Sequence, residues 1–266
     1  MLCKNLYGIY KIKEVINIQA LITGASSGIG RDMARYFDKL GYDLILIARD
    51  EKNLEELKKE LNVNIEIIPI DLSKEDNCKE LYNKVKGKNI DILINNAGFG
   101  EFGEFTDTNL DKELNMINVN IKAVHILTKL FLQDMKKRNS GHILNVASIA
   151  GFMPGPLMTT YYSTKAYIVR LTQSIYEELK KEKVKVSISA LCPGPVDTNF
   201  DKVAGVKFNL KKLSSEYVAK YGIDNMLKGK LIIIPGIKIK IAKFLAKISP
   251  DKLTAKISMK MQERKR

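Results

Sequence analysis

The chain of 266 residues has no tryptophan, two histidines, three cysteines and seven prolines. Each scarcity excludes something. Cys3, Cys78 and Cys192 are odd in number, far apart and never spaced C-x-x-C. Neither a disulfide framework nor a cysteine zinc site is indicated, and reduced thiols in a cytoplasmic compartment are expected. His125 lies in a helical pattern and His142 beside a strand pattern. Two histidines cannot build a histidine-rich metal site, so both are expected to be structural and no metal is expected. Apolar runs such as Leu231–Ile234 fall far short of the ~20 residues of a membrane-spanning helix. Near the start, Lys11, Lys13 and Glu14 interrupt any apolar stretch, and no small-residue cleavage site follows. Residues 1–16 stay open between an edge segment, a tail and an overlong start.

Acidic residues are scarce in one region only. Residues 1–200 carry 27 Lys and Arg against 25 Asp and Glu, whereas residues 201–266 carry 17 against 5. Most of the net charge of +14 therefore sits at the C-terminal end. Such a segment attracts nucleic acid, anionic lipid or acidic substrates, or is a solvated lysine-rich surface. Its lysines alternate with Ile, Leu and Ala rather than aromatics, which argues against a nucleic-acid stacking platform. Peripheral contact with a membrane stays open. Over residues 236–262, Ile237, Ile241, Phe244, Leu245 and Ile248 follow i, i+3, i+4 spacing. One buried stripe is expected there, with Lys238, Lys240, Lys243 and Lys247 toward solvent and a break at Pro250.

Strand-like runs, most of them apolar throughout, alternate with helical patterns. The runs are Ile18–Thr23, Asp43–Ile47, Ile65–Pro69, Ile90–Asn95, His142–Ala147, Val184–Leu191 and Leu231–Ile234. Helices are expected over Glu51–Leu61, Ser73–Val85, about Leu110–Lys137 and about Thr160–Lys181. This alternation predicts an α/β fold, a doubly wound parallel sheet of Rossmann type. One domain is expected, with an N-terminal segment (1–16), a dinucleotide-binding and catalytic portion (17–200) and a lid with a basic helical extension (201–266).

Thr23-Gly24-Ala25-Ser26-Ser27-Gly28-Ile29-Gly30 separates the first strand run from a helical run. A strand, a glycine turn and a helix start suit a dinucleotide pyrophosphate. Gly24 permits the turn, Gly28 a close approach of backbone to phosphate, and Gly30 close packing of helix and strand. Tyr161 and Lys165 are four apart in a helical pattern and share a face. A free tyrosine has a pKa near ~10. A neighbouring ammonium and a cationic oxidised nicotinamide would lower it, making Tyr161 a proton exchanger for a carbonyl or alcohol oxygen. Tyr162 has no lysine four residues on. Asn95-Asn96-Ala97-Gly98, Ser148 and Pro193-Gly194-Pro195-Val196-Asp197-Thr198 complete the set in chain order.

With the glycine stretch, these motifs resemble the short-chain dehydrogenase/reductase family over roughly residues 17–200. The resemblance implies an oxidoreductase acting on a carbonyl or secondary alcohol of a small-molecule substrate, with Tyr161, Lys165, Ser148 and Asn120 catalytic. Ser148 would bond the substrate oxygen, Lys165 the nicotinamide ribose, and Asn120 would hold a proton-relaying water; Asn118 is the runner-up for that place. For the cofactor it implies Gly24, Ser26, Ser27, Gly28, Ile29 and Gly30 at the phosphates. Asp71 and Leu72 would lie at adenine, and Asn95, Ala97 and Gly98 near its ribose, where Asn95 can also tie neighbouring strands together. Pro193, Gly194, Val196 and Thr198 would lie on the nicotinamide side. Where NAD-type members carry an acid, this chain has Ala48, followed by Arg49. A guanidinium matches a 2′-phosphate, so NADP(H) is favoured over NAD(H). Asp50 either faces the ribose or caps the next helix. Residues 149–159 and 200–212 mix apolar groups with glycine. They point to a pocket for a hydrophobic or 3-oxoacyl substrate; a steroid or bile-acid dehydrogenase and a cofactor-binding regulator or membrane-surface scaffold are the alternatives. The family also implies a homo-oligomer, dimer or tetramer, through the long helices after the fourth and fifth strands.

Overall fold

The computed structural model describes residues 18–206 and 212–264. The expectations for residues 1–16, and the middle of the 200–212 lid, lie outside the described residues. The first half of the fold runs β1 (Gln19–Thr23), α1 (Gly28–Lys39), β2 (Asp43–Ala48), α2 (Glu51–Glu60), β3 (Ile65–Pro69), α3 (Glu75–Val85) and β4 (Ile92–Asn95). It continues through α4 (Leu110–Ile117), a π turn (Asn118–Ala123), α5 (Val124–Arg138), β5 (Gly141–Val146), a 3-10 turn (Ile149–Phe152), α6 (Thr159–Glu182) and β6 (Val186–Leu191). The remainder is β7 (Val196–Asp197), α7 (Phe200–Ala204), β8 (Leu213–Ser214), α8 (Ser215–Met226), β9 (Ile232–Ile233), α9 (Ile237–Ile248) and α10 (Asp251–Glu263).

Seven strands form one parallel sheet in the order β3-β2-β1-β4-β5-β6-β9. The order reverses between β1 and β4, so the connections that follow them run to opposite faces of the sheet and leave a crevice beyond the strand ends. The central strands are apolar at nearly every position because both faces are covered. Leu21 and Ile22 show the alternation. Ile22 joins Met33, Phe37, Leu54 and Ile223 under α1, α2 and α8. Leu21 joins Leu81, Leu127, Phe131 and Leu179 under α3, α5 and α6. The basic end of the chain is part of this architecture: β9 is the seventh strand, and Tyr36 donates to Asp224 at 2.7 Å between α1 and α8.

Two helical expectations need correction. Leu110–Lys137 is not one regular helix. The π turn at Asn118–Ala123 interrupts it where the amide of Asn120 turns inward to bond Phe99 and Thr164. The tail does divide at Ser249-Pro250 into α9 and α10. Its expected buried stripe, however, faces outward: Ile237, Ile241, Phe244, Leu245 and Ile248 are all more than half exposed. The inward face carries Ile239, Lys243 and Ala246 instead, each half-buried, and Lys243, expected toward solvent, sets its Nζ 4.7 Å from the centre of the Phe152 ring. Small residues let a helix backbone approach closely, and Ile239 reaches the Pro-Gly loop after β6. A Cβ on Gly194 would stand 2.6 Å from Cδ1 of Ile239. Periodicity identified a stripe but could not say which face would meet the protein.

Candidate active site

The glycine turn is held by side chains from the neighbouring strand. Gly24 has φ +66°, and a Cβ there would lie 2.9 Å from the Ala97 Cα. Oγ1 of Thr23 accepts from the backbone N–H of Asn96 at 2.9 Å and of Ala97 at 3.0 Å. Nδ2 of Asn96 donates to the carbonyls of Thr23 at 3.0 Å and Gly24 at 3.1 Å. Gly30 sits against this knot, since a Cβ there would meet the Gly24 oxygen and Asn96 Nδ2 at 2.4 Å. Its glycine serves the loop rather than the strand. Gly30→Ala is expected to destabilise the protein by about 1–3 kcal/mol, as overpacking does. It should also weaken nucleotide binding; urea unfolding and nucleotide titration check both. An unaltered midpoint would contradict the close contact.

Helix α1 begins at this turn with no side-chain cap from Ser27 and no acid in its first turn. Its first N–H groups are left for an anion, and the positive end of its dipole favours one. Arg49 is exposed just after β2. Asp50 is committed elsewhere: its Oδ1 caps α2 by accepting from the N–H of Asn53 at 3.0 Å. Asp71 accepts from the N–H of Ser73 at 3.1 Å, closing the turn after β3.

A cavity of about 1050 Å³ lies along the strand ends. Gly24, Ser26, Ser27, Gly28, Ile29, Arg49, Asp71, Leu72, Ala97 and Gly98 line it, as do Ser148, Tyr161, Lys165, Pro193, Gly194, Val196 and Thr198. Three expected site residues stand behind the wall. Gly30 packs the turn. Asn95 is buried, with Nδ2 bonding Thr128 Oγ1 at 3.0 Å and Asn145 Oδ1 at 2.9 Å, so it ties β4 to β5 and α5 while Asn96 takes the cavity side. Asn120 accepts from the Phe99 N–H at 3.1 Å and donates to Phe99 O at 2.9 Å and Thr164 Oγ1 at 3.1 Å. It holds the chain that carries Gly98 and Phe99. Asn118 does not line the cavity, although its neighbour Val119 does.

Tyr161 and Lys165 lie one turn apart near the start of α6, as their spacing predicted. Lys165 is almost wholly buried; Nζ donates to the Val146 carbonyl at 2.8 Å and lies 5.8 Å from the centre of the Tyr161 ring. Burial pushes its pKa down to about 8. The Ser148 hydroxyl accepts from the Ala150 N–H at 3.1 Å. Tyr161 titrates higher than a free tyrosine, because burial in the enclosed cavity outweighs its hydrogen bond with Ser148. The lowering expected from sequence supposed a cationic nicotinamide beside the ring; in the free protein burial decides the direction, and the Lys165 ammonium is itself costly to keep charged. The two described cysteines are buried, which raises Cys192 to about 12 and Cys78 to about 11 and leaves both thiols protonated. His142 bonds Ser187 and His125 bonds Tyr167, each at 2.7 Å, away from the cavity.

The two apolar stretches singled out in the sequence do reach the cavity: Met153, Met158, Phe200 and Val203 supply an apolar wall, joined by Ala242, Leu245, Ala246, Ile257 and Met261 from the tail. Phe200 lies 5.2 Å from the Tyr161 ring centre. Tyr162 anchors α10, its hydroxyl accepting from Gln262 Nε2 at 2.7 Å. The stretch after β4 is held as well, by Asn120 at Phe99 and by Gly103 N–H donating to Leu157 O at 2.9 Å.

Comparison with known proteins gives a consistent result. A family model described as short chain dehydrogenase matches residues 19–207. An uncharacterized oxidoreductase of Staphylococcus epidermidis is 35% identical over 212 residues, spanning 79% of this chain and 89% of that protein. The very-long-chain 3-oxoacyl-CoA reductase of Rattus norvegicus is 32% identical over 215 residues, spanning 78% and 68%. A short-chain dehydrogenase from Sphingobium yanoikuyae in complex with NADPH superposes with a TM-score of 0.77 at 27% identity, covering 88% of this chain and 96% of that one. A short chain dehydrogenase/reductase from Burkholderia phymatum in complex with NAD gives 0.78 at 25%, covering 86% and 92%.

Proposed function

The chain belongs to the short chain dehydrogenase family and is an oxidoreductase that uses a nicotinamide cofactor, and from that premise we propose that it interconverts a ketone and a secondary alcohol on a long apolar or acyl substrate, with NADP(H) preferred. The observation that carries this reading is the continuity of one cavity from Arg49 and the glycine turn, past Ser148 and Tyr161, to a wall of Met, Phe, Ile and Leu side chains. Ser148, Tyr161 and Lys165 stand where the glycine-turn end meets the apolar wall, a few polar groups beside a largely apolar lining, the usual form of a site for an apolar substrate. The rat relative acts, by its name, on very-long-chain 3-oxoacyl-CoA, which favours an acyl ketone over a steroid.

A nicotinamide held beside Tyr161 supplies or accepts a hydride at the substrate carbon. In reduction the phenol of Tyr161 gives its proton to the carbonyl oxygen; in oxidation the phenolate takes one from the alcohol. The Ser148 hydroxyl bonds the same oxygen and stabilises its developing charge. Lys165 orients the nicotinamide ribose and favours the phenolate. Asn120 is a positioning residue whose Oδ1 retains a lone pair for a water serving Lys165. Asp71 and Leu72 would hold the adenine, and Gly98, Val196 and Thr198 would line the rest of the cofactor. The exposed faces of α4 and α6, with Leu110, Leu114 and Tyr167, are the surface for a homo-oligomer. The protonated buried thiols suit a reducing, cytoplasmic setting.

Cofactor preference rests on Arg49 with Ser27, since Asp50 is engaged in capping α2. Arg49→Ala should weaken NADPH by about 1.5–3 kcal/mol, the size of a hydrogen bond to a charged group, and leave NADH nearly unchanged. Titration of both nucleotides checks this; equal weakening of the two, or a wild type that prefers NADH, contradicts it. A screen of 3-oxoacyl, steroid and small ketones with NADPH and NADH tests the substrate class. Turnover confined to short polar ketones would overturn the apolar reading.

A further inference from the structure

The tail turns its largest apolar side chains away from the protein. On α9, Ile237 is 68% exposed, Phe244 61% and Ile248 62%. At ~100° per residue these fall with Ile241 and Leu245 in one arc of about 100°. Lys238 borders one side of the arc, and Lys240 and Lys247 the other. On α10, Leu253, Ile257 and Met261 recur every four residues and are all close to half exposed. A parallel row of Lys252, Lys256 and Lys260 runs beside them, also exposed. Between residues 237 and 264 there are eight basic residues and two acidic ones. Leu245, Ile257 and Met261 also line the substrate cavity, so this surface surrounds its mouth.

We propose that the outer face of α9 and α10 docks on an anionic phospholipid bilayer, apolar rows in the acyl boundary and lysines among the headgroup phosphates. Apolar rows bordered by lysines are what a helix lying in the membrane interface presents. The charge argues against a second copy of the chain as occupant, because two such faces would bring like-charged lysine rows together. It argues for an anionic surface, where each lysine near the headgroups adds to the attraction. An isolated apolar patch of this kind on a water-facing surface is otherwise a liability. Docking in this pose turns the cavity mouth toward the acyl layer, so an apolar substrate enters without crossing water. That consequence rests on the proposed function; docking itself does not.

Full-length protein sedimented with vesicles provides the test. Binding is expected to vesicles of phosphatidylcholine mixed with phosphatidylglycerol. It should fall at least ~10-fold at high salt and on vesicles of phosphatidylcholine alone. A triple variant, Ile241→Glu, Phe244→Glu and Ile248→Glu, alters residues that do not line the cavity. It should lose at least ~10-fold in vesicle binding and keep the wild-type circular dichroism and nucleotide affinity. Absence of wild-type binding to the mixed vesicles, or equal binding by the triple variant, overturns docking. So does a wild-type oligomer that the triple variant dissolves in analytical ultracentrifugation, since the face is then a contact between copies. If vesicles bind as expected but no apolar ketone is turned over, the proposed substrate class fails and docking stands.

Discussion

Tyr161→Phe is expected to lower turnover by about 10²–10⁴-fold, the range contributed by a positioned acid or base, while nucleotide affinity stays within a few-fold of wild type. The substitution removes one hydroxyl and keeps the ring against Phe200 and Tyr162. Packing loss is therefore small, and the effect reads the proton alone. The direction of pH dependence follows from the phenol's environment. Burial raises its pKa, so the protonated acid needed for carbonyl reduction persists through neutral and mildly alkaline pH. Oxidation needs the phenolate and should rise with pH over the same range, until a cationic nicotinamide has brought the group down. Stopped-flow rates in both directions, with nucleotide titration alongside, check the prediction. A variant keeping more than about a tenth of wild-type turnover would remove Tyr161 from its proposed role.

The parts of the site readable from sequence are those fixed by backbone geometry. Gly24 and Gly30 must be glycine because neighbouring backbone occupies the space of a Cβ. Tyr161 and Lys165 share a helix face whatever surrounds them. The strands were legible because a doubly covered parallel sheet needs unbroken apolar runs, and Asp50 was readable as a cap from its place before Glu51. Harder to read was anything set by which surface meets which. Asn95 and Asn96 are adjacent and chemically identical, yet alternation along the strand sends one into the core and the other to the cavity. The tail's periodic stripe of large residues faces outward, while Ile239, against Gly194, and Ala246 turn inward beside Lys243, and no periodicity encodes that. The π turn at Asn120 depends on a bond to Phe99, 21 residues away. The pKa direction of Tyr161 in the free protein depends on its burial, which spacing alone left open.

Lys165→Met is expected to abolish most turnover and weaken nucleotide binding, yet make the nucleotide-free protein more stable at neutral pH. The native site holds a lysine only 6% exposed whose pKa is pushed down to about 8. Between that value and its ordinary one near ~10.4, the unfolded chain binds a proton that the folded chain does not, so stability rises with pH across that window. Below pH ~8 both states are protonated and the full cost of burying the ammonium is present, roughly 3 kcal/mol from the size of the shift. Methionine fills a similar volume without the charge. It leaves the Val146 carbonyl without its donor, which returns about 1 kcal/mol of the gain. A net stabilisation of about 1–2 kcal/mol is therefore expected at pH 7, shrinking to nothing or reversing by about pH 10.5. Urea unfolding of wild type and variant at both pH values measures it. A variant less stable than wild type at pH 7 would mean that Lys165 is held at no cost. With the expected result, the charge proposed to orient the nicotinamide ribose is kept at the expense of stability, as is common for groups retained at functional sites.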